Sequence, residues 1–509
     1  MQKPAEFLRA RQGAARYLAA FGLGALLTLT LPPFGLFPLA LASVCGFIWL
    51  AQGAPSSWKA LWTGWAYGAG FFITGLYWIS VALFVDIASF GWVLPLSLIV
   101  GPCLLALLTY ALIPVIAHRF RHDPLLHALV FITAWAAIEW IRGHALTGFP
   151  WNLPGYMWHH VLPVMQTASL VGIYGLTLLT LLWAALPALW SCTRMRYGLL
   201  ALFIAALAWG GLRLAFNPTQ TTGAPVVRIV QGNVAQTMKW DEDAQWRNLE
   251  KHAHLSDKNT PADVVIWPET ALTSDPVLFP EIGRYVAQNM PRDSIGIFGS
   301  LRITNASQPQ PDYHNGVYVM DSNGAVLGAY DKFHLVPFGE YIPYRNILQV
   351  TPIAAGISKI GDFTAGPGPR TLNGEGKVPP FSPLICYEVI FPAHVTDRHN
   401  RPAWLVNVTN DAWYGRSSGP YQHLEITRMR AVEEGLPLAR AANTGISAMI
   451  DPLGRITARL ALNETGAITT PLPAPLPPTL YARLGDAPFA LMLLGCLAAI
   501  IWRKKHVGI

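Results

Sequence analysis

The run "PLICYEVIF", Pro383–Phe391, decides how the polar part of this chain folds. A short apolar run of this kind reads as a buried strand, and here it gives way abruptly to Cys386, Tyr387 and Glu388. Two other segments share the pattern. "VVIWPET", Val264–Thr270, carries a buried strand to Glu269, and "AYDKFHLVPFGEYIP", Ala329–Pro343, holds Lys332 and Glu340. Further strands are expected at Val226–Val234, Asp263–Trp267, Ile295–Ser300, Gly316–Asp321, Pro383–Glu388, Trp404–Asn410 and Ser447–Asp451. Helical patterns run over "DAQWRNLEKHAHLSD" (Asp243–Asp257) and "GPYQHLEITRMRAVEEG" (Gly419–Gly435). Alternating runs of this kind describe a layered α/β domain with buried sheets.

That domain is framed by hydrophobic sequence. Of 509 residues, 52% are hydrophobic and only 13% charged, about half the charge of an ordinary soluble chain. Crossing a bilayer as a helix takes roughly 20 apolar residues. Eight spans are expected: Tyr17–Phe34, Leu36–Ala51, Leu61–Phe84, Trp92–Ala117, Leu125–Ile141, Val164–Trp190, Tyr197–Phe216 and Leu484–Trp502. The polar stretch between the last two begins with the linker "NPTQTTGAP" and ends with the Pro-rich spacer "PLPAPLPPTLYAR". The expected organisation is a membrane bundle over 1–216, an α/β domain over 217–483, and a final span with its tail over 484–509.

Lys and Arg set the orientation. They cluster before span one, at Lys59, at Arg119 and Arg121, at Arg194 and Arg196, and at Arg503–Lys505. With eight spans, all five clusters fall on one side. Both termini are therefore expected in the cytoplasm and the polar domain on the outer side, the periplasm where there are two membranes. The same dispersal argues against nucleic acid, because the 36 Lys and Arg form no single basic patch. The aromatic outer loop "GFPWNLPGYMWHH", Gly148–His160, reads as an anchor at the membrane interface, with a substrate contact as the second reading.

Four of the five cysteines, Cys45, Cys103, Cys192 and Cys496, lie in or beside apolar runs; only Cys386 lies in the polar domain. A thiol attacks as thiolate. A carboxylate within reach accepts its proton and later returns it, and an ammonium stabilises the oxyanion of a tetrahedral intermediate. A Cys, a Glu and a Lys thus suffice for two-step acyl transfer, and nothing in the sequence has metal-ligand spacing.

The segments around Glu269, Lys332 and Cys386 resemble the nitrilase, or carbon–nitrogen hydrolase, superfamily, with its Glu–Lys–Cys triad on an αββα sandwich. Joined to eight spans, "YDKFHLVPFGEYIP" and "LICYEVIFP" are similar to the apolipoprotein N-acyltransferase family over essentially the whole chain. The resemblance implies that Cys386 takes an acyl group from a phospholipid, at the sn-1 position of phosphatidylethanolamine, as a thioester. The α-amino group of the diacylglyceryl-cysteine of an apolipoprotein then receives it as an amide. Glu269 would be the general base, and Lys332 with the backbone N–H of Tyr387 the oxyanion hole. Glu340, Glu388 and Asn315 would support the site, with structural pairing as the other reading of Glu388 and the Asn-Gly turn as that of Asn315. Trp240, Trp413 and Tyr414 would form the lid or acyl groove, and Leu348–Phe363 a mobile arm. Arg440 and Asn443 read as structural support. No metal or cofactor is expected, and a monomer is.

Three other readings stand beside this one. A membrane-tethered amidase would pass its acyl group to water. A papain-like pair would use His334 or His423 as the base. A transporter would need ionisable residues inside the spans, where Glu139 and Arg213 are found near helix ends.

Overall fold

The computed structural model describes residues 2–348 and 362–507. The expected arm Leu348–Phe363 lies almost wholly outside them. The chain forms two compact units: a helical one (Met1–Pro218, Ser417–Glu434 and Pro478–Ile509) and an α/β one (Thr219–Arg416 and Gly435–Pro477).

In the helical unit, five helical stretches among the described residues are long and apolar enough to cross a membrane: Ser57–Val93, Leu96–His118, Pro124–His144, Thr193–Phe216 and Ala487–His506. Three shorter apolar helices occupy Gly13–Thr28, Leu39–Gln52 and Ala168–Ala184. Gly24 and Gly70 let two of these helices touch. A Cβ on Gly24 would lie 1.9 Å from the carbonyl oxygen of Tyr67, and one on Gly70 2.1 Å from that of Phe21. Small residues at such crossings are how helices associate where burial from lipid supplies little drive.

Several expectations for this unit are corrected. The loop Gly148–His160 is no lipid-facing anchor: Trp151, Tyr156 and Trp158 are buried. The indole N–H of Trp151 donates to Gln422 at 2.8 Å, and that of Trp158 to Thr180 at 2.7 Å. Glu139, near the end of the helix Pro124–His144, is held inside the protein. It is fully buried, paired with Arg142 at 2.5 Å and bonded by the hydroxyl of Tyr110 and the indole of Trp135; a buried carboxylate requires such partners. The helix Gly419–Glu434, expected within the α/β domain, belongs to the helical unit. His423 goes with it, its ring near Trp151.

The α/β unit holds two sheets. The strands are β1 (Val226–Gln231), β2 (Val264–Leu272), β3 (Ile295–Thr304), β4 (Asp312–Asp321), β5 (Val326–Asp331), β6 (Phe381–Ile385), β7 (Trp404–Thr409), β8 (Leu438–Ala442), β9 (Ser447–Ile450), β10 (Ile456–Leu460) and β11 (Gly466–Pro471). The first sheet has the order β11-β1-β2-β3-β4-β5, the second β10-β9-β8-β7-β6. The centre of each is parallel: β1, β2 and β3 in one, β6, β7 and β8 in the other.

Strand periodicity builds the layers. Val264 and Ile266 point into the core between the sheets, with Val227, Ile297, Ile385, Val406 and Val408. Val265 and Trp267 point the other way, into a second core under the helices Glu242–Ser256 and Pro280–Gln288. A strand buried on both faces reads as a continuous apolar run, which explains why the alternation in "VVIW" is invisible in the sequence. The strands β5, β8, β10 and β11 were not foreseen; "ITARL" and "GAITTP" are short, polar-punctuated edge or near-edge segments. The expected strand through Glu388 stops at Ile385, and Cys386–Ile390 is a tight helical turn. The Glu388 carboxylate enforces that stop by accepting the Ile385 N–H at 2.7 Å.

Candidate active site

Glu269 lies in the irregular C-terminal part of β2 and Cys386 directly follows β6, near the carboxyl ends of parallel strands where sites in α/β sheets characteristically lie. Cys386 begins the turn after β6 with φ +49°. A non-glycine residue rarely adopts the left-handed region, and strain of this kind persists where surrounding structure holds it. Here the holder is Glu388. It is fully buried, and it accepts from Tyr330 Oη at 3.0 Å, from the N–H of Phe333 at 2.8 Å and from that of Ile385 at 2.7 Å. Glu388 therefore ties the turn that carries Cys386 to the segment that follows Lys332. Burial, opposed by these donors and by Lys332, pushes its carboxyl up to about 7.

Lys332 is 1% exposed. Its Nζ donates to Glu340 Oε1 at 2.8 Å and lies 4.0 Å from Glu269 Oε1. Burial pulls the ammonium down, but the charges of Glu340 and Glu269, joined by Cys386 once it ionises, outweigh it and raise it above the ordinary lysine value. Asn315 joins the two carboxylates, its Nδ2 donating to Glu269 Oε1 at 2.7 Å and to Glu340 Oε1 at 2.8 Å. It sits in β4 opposite Leu301, so its Asn-Gly dipeptide makes no turn. The other oxygen of Glu269 accepts the backbone N–H of Asn410 at 2.7 Å. Glu340 is fixed in turn by the N–H of Val336 at 2.7 Å.

The thiol of Cys386 is buried. Burial first, then the negative charge of Glu269, pushes it up to about 12, against the pull of Lys332 and a hydrogen bond with Thr409. The resting sulfur is thus a thiol that ionises by giving its proton to a partner, which suits a neighbouring carboxylate base. The hydroxyl of Tyr414 also bonds with the thiol. Behind them Asp411 pairs with Arg440 at 2.7 Å, and the Asn443 N–H donates to the Thr409 carbonyl at 3.0 Å. Both residues brace β7 and β8.

The remaining expected residues separate by exposure. Tyr387 is buried, its ring edge-on to Phe391, whereas Trp240 is 48% and Trp413 40% exposed. The two histidines of the papain-like reading pack against aromatic rings, His423 near Trp151 and His334 on Phe391. His423 belongs to the helical unit, and the ring centroids of His334 and Phe391 lie 3.5 Å apart. Among the described residues no three His, Cys, Asp or Glu side chains group as metal ligands.

Three participants escaped sequence reasoning. Asn410 was read only as the end of the expected strand Trp404–Asn410, yet its backbone holds the Glu269 carboxylate. Thr409 was read only as part of a strand. Lys239, beside Trp240, is buried and donates its Nζ to the backbone oxygen of Glu269 at 2.7 Å. A lysine between Met238 and Trp240 was the available signal.

The chain is similar to known proteins along its length. Residues 226–476 match the carbon-nitrogen hydrolase family, and residues 23–186 the apolipoprotein N-acyltransferase N-terminal domain. It is 38% identical to the apolipoprotein N-acyltransferase of Rhodopseudomonas palustris, over 97% of this chain and 96% of that one. It is 40% identical to that of Bradyrhizobium diazoefficiens over the same shares, and 38% identical to that of Brucella melitensis over 96% of each.

Proposed function

The chain belongs to the apolipoprotein N-acyltransferase family, and from that premise we propose that Cys386, Glu269 and Lys332 carry an acyl chain from a phospholipid to the N-terminal amine of an apolipoprotein. The observation that carries this reading is the buried ammonium of Lys332, 4.0 Å from Glu269 and 2.8 Å from Glu340, in the field of Cys386.

The reaction runs in two halves. Glu269 takes the thiol proton, and the sulfur attacks the sn-1 ester carbonyl of phosphatidylethanolamine. Lys332 and the Tyr387 N–H receive the oxyanion. Collapse expels the lysophospholipid alkoxide, which takes the proton back from Glu269, and leaves a thioester. The α-amine of the diacylglyceryl-cysteine then attacks this thioester and yields a proton to Glu269. Collapse releases the amide and returns the proton to sulfur. Binding two substrates in turn at one thiol makes the kinetics ping-pong. Asn315 and Glu340 hold the base and the ammonium, Glu388 holds the nucleophile turn, and Trp240, Trp413 and Tyr414 border the acyl chain.

The family and the apolar helices fit a bacterial inner-membrane protein. We read the five long and three shorter apolar helices as eight crossings, with the α/β unit (Thr219–Arg416 and Gly435–Pro477) facing the periplasm, both termini in the cytoplasm, and a monomer as the working unit. A membrane location keeps acyl chains out of water, which otherwise costs about 0.8 kcal/mol per exposed CH₂.

The test uses the full-length protein with phosphatidylethanolamine vesicles and a diacylated lipopeptide, followed by mass spectrometry. The wild type is expected to gain one acyl group on Cys386 and pass it to the peptide, and Cys386→Ala to gain none. An adduct on the Ala variant, or none on the wild type, sinks the reading. Free fatty acid without acylated peptide would instead identify a membrane-tethered amidase.

A further inference from the structure

Strand β2 does not stay in register where it delivers the base. It pairs with β3 as far as Trp267 opposite Phe298, and pairing resumes at Leu272 opposite Ser300. Residues 268–271 therefore bulge against Gly299 alone, and Thr270 has φ +49°. A bulge re-aims a side chain and takes main-chain groups out of the ladder. The displaced carbonyl of Glu269 is buried territory, where an unpaired acceptor is costly. Lys239 supplies the donor, at 2.7 Å.

Lys239 ends the short helix Gln236–Lys239, whose other end holds the same base by a second route. Gln236 Oε1 accepts from Asn410 Nδ2 at 2.6 Å, and the Asn410 N–H donates to the Glu269 carboxylate. Asn443 fixes this clasp, its Nδ2 donating to Asn410 Oδ1 at 2.9 Å and to the Val234 carbonyl at 2.7 Å. One turn of helix thus grips Glu269 at its main chain and, through Asn410, at its carboxylate.

Charge gives the lysine a second consequence. Two carboxylates, Glu269 and Glu340, face one ammonium on Lys332. A second ammonium brings that group to neutrality, and it stays neutral as the proton passes from Cys386 to Glu269. The titratable groups acting on Lys239 are Glu269 on β2, Cys386 after β6, and the buried His252 on the helix Glu242–Ser256. Burial holds Lys239 down at about 8, against the pull of Glu269 and Cys386, and holds His252 at about 4.

We propose that Lys239 is a positioning residue for Glu269: its side chain fastens the bulge that aims the carboxylate, and its ammonium offsets the negative charge that Glu269 and Cys386 exchange during acyl transfer. This rests on the acyl-transfer reading given above.

The test measures single-turnover formation of the acylated enzyme from phosphatidylethanolamine vesicles between pH 5 and 9, by mass spectrometry of the full-length protein. In Lys239→Met the acid limb of the rate is expected to move up by about one pH unit, making the rate on that limb about tenfold lower. Lys239→Arg keeps the wild-type limb. Lys239→Gln, which keeps a donor without charge, shares the shifted limb and guards against a Met variant that fails to fold. Lys258→Met, an exposed lysine of the same unit, leaves the profile unchanged. Rates lowered equally at every pH in the Met and Gln variants, or a Met profile identical to wild type, overturn the proposal. A wild type that never acquires the acyl group overturns the acyl-transfer reading itself, so the two failures are distinct.

Discussion

The ammonium of Lys332 bonds to Glu340 at 2.8 Å and stands off from Glu269 at 4.0 Å. Its charge is balanced chiefly by the accessory carboxylate, which leaves the Glu269 carboxylate to its two N–H donors and to the thiol. Asn315 spans the gap with one amide nitrogen.

Replacing Glu340 by Gln leaves a buried ammonium with only a distant partner. Breaking a buried pair in this way costs about 3 kcal/mol, seen as a lower unfolding midpoint. The raised Lys332 ammonium adds stability that is complete below the ordinary lysine value of 10.5 and is lost as pH rises through its higher folded value. Without Glu340 that folded value falls. Acyl-enzyme formation in Glu340→Gln is therefore expected to decline at lower alkaline pH than in wild type, measured between pH 7 and 10. Superimposable alkaline limbs would contradict the assignment.

Gly299 has no side chain to contribute, yet Gly299→Ala is expected to inactivate. A Cβ there would lie 2.3 Å from the Pro268 carbonyl oxygen and 2.6 Å from the Glu269 Cα. Both are backbone atoms within the bulge, so the base itself must shift. A misplacement of about 1 Å costs on the order of 100-fold in rate. The variant should keep its fold by circular dichroism and acquire the acyl adduct at least that much more slowly; a wild-type rate would mean the bulge yields freely.

Glu388→Gln probes the clamp on the nucleophile turn. The amide NH₂ would face the N–H of either Phe333 or Ile385, both of which now donate to the carboxylate. Leaving such a donor unpaired costs about 1–3 kcal/mol. In wild type the folded carboxyl lies at about 7, above its ordinary 4.5. Its contribution is therefore complete below pH 4.5 and is lost as pH rises through 7. Thermal midpoints taken from pH 4.5 to 8 should fall with pH in wild type, less steeply in the variant, and the variant should melt lower at pH 5. A variant as stable as wild type at pH 5 would remove Glu388 from this role.

The long apolar helices, the buried β-runs and the grouping of Glu269 and Lys332 in one polar domain with Cys386 were legible in the sequence, because each is a local pattern. Hydrophobic length gives a helix that suits a bilayer, and an apolar run that stops at a charge gives a strand end. The helix Gly419–Glu434 was recognised as a helix but assigned to the wrong unit, since a period of 3.6 tells which residues share a face and not what covers that face. The aromatic loop misled for a similar reason: Trp151 and Trp158 suit a membrane interface equally with a buried polar partner.

The sequence by itself determined which reactive side chains lie on or just after buried strands, and that long apolar helices flank that part of the chain. Only the tertiary structure decided how the base is aimed. Asn410 reaches Glu269 across 141 positions of chain and Lys239 across 30. The aim itself comes from a bulge against a glycine in the neighbouring strand. Each of these residues is ordinary in its own neighbourhood. Their effect exists only where separate strands meet, because hydrogen bonds and electrostatic fields act over ångströms of space and carry no trace in local composition.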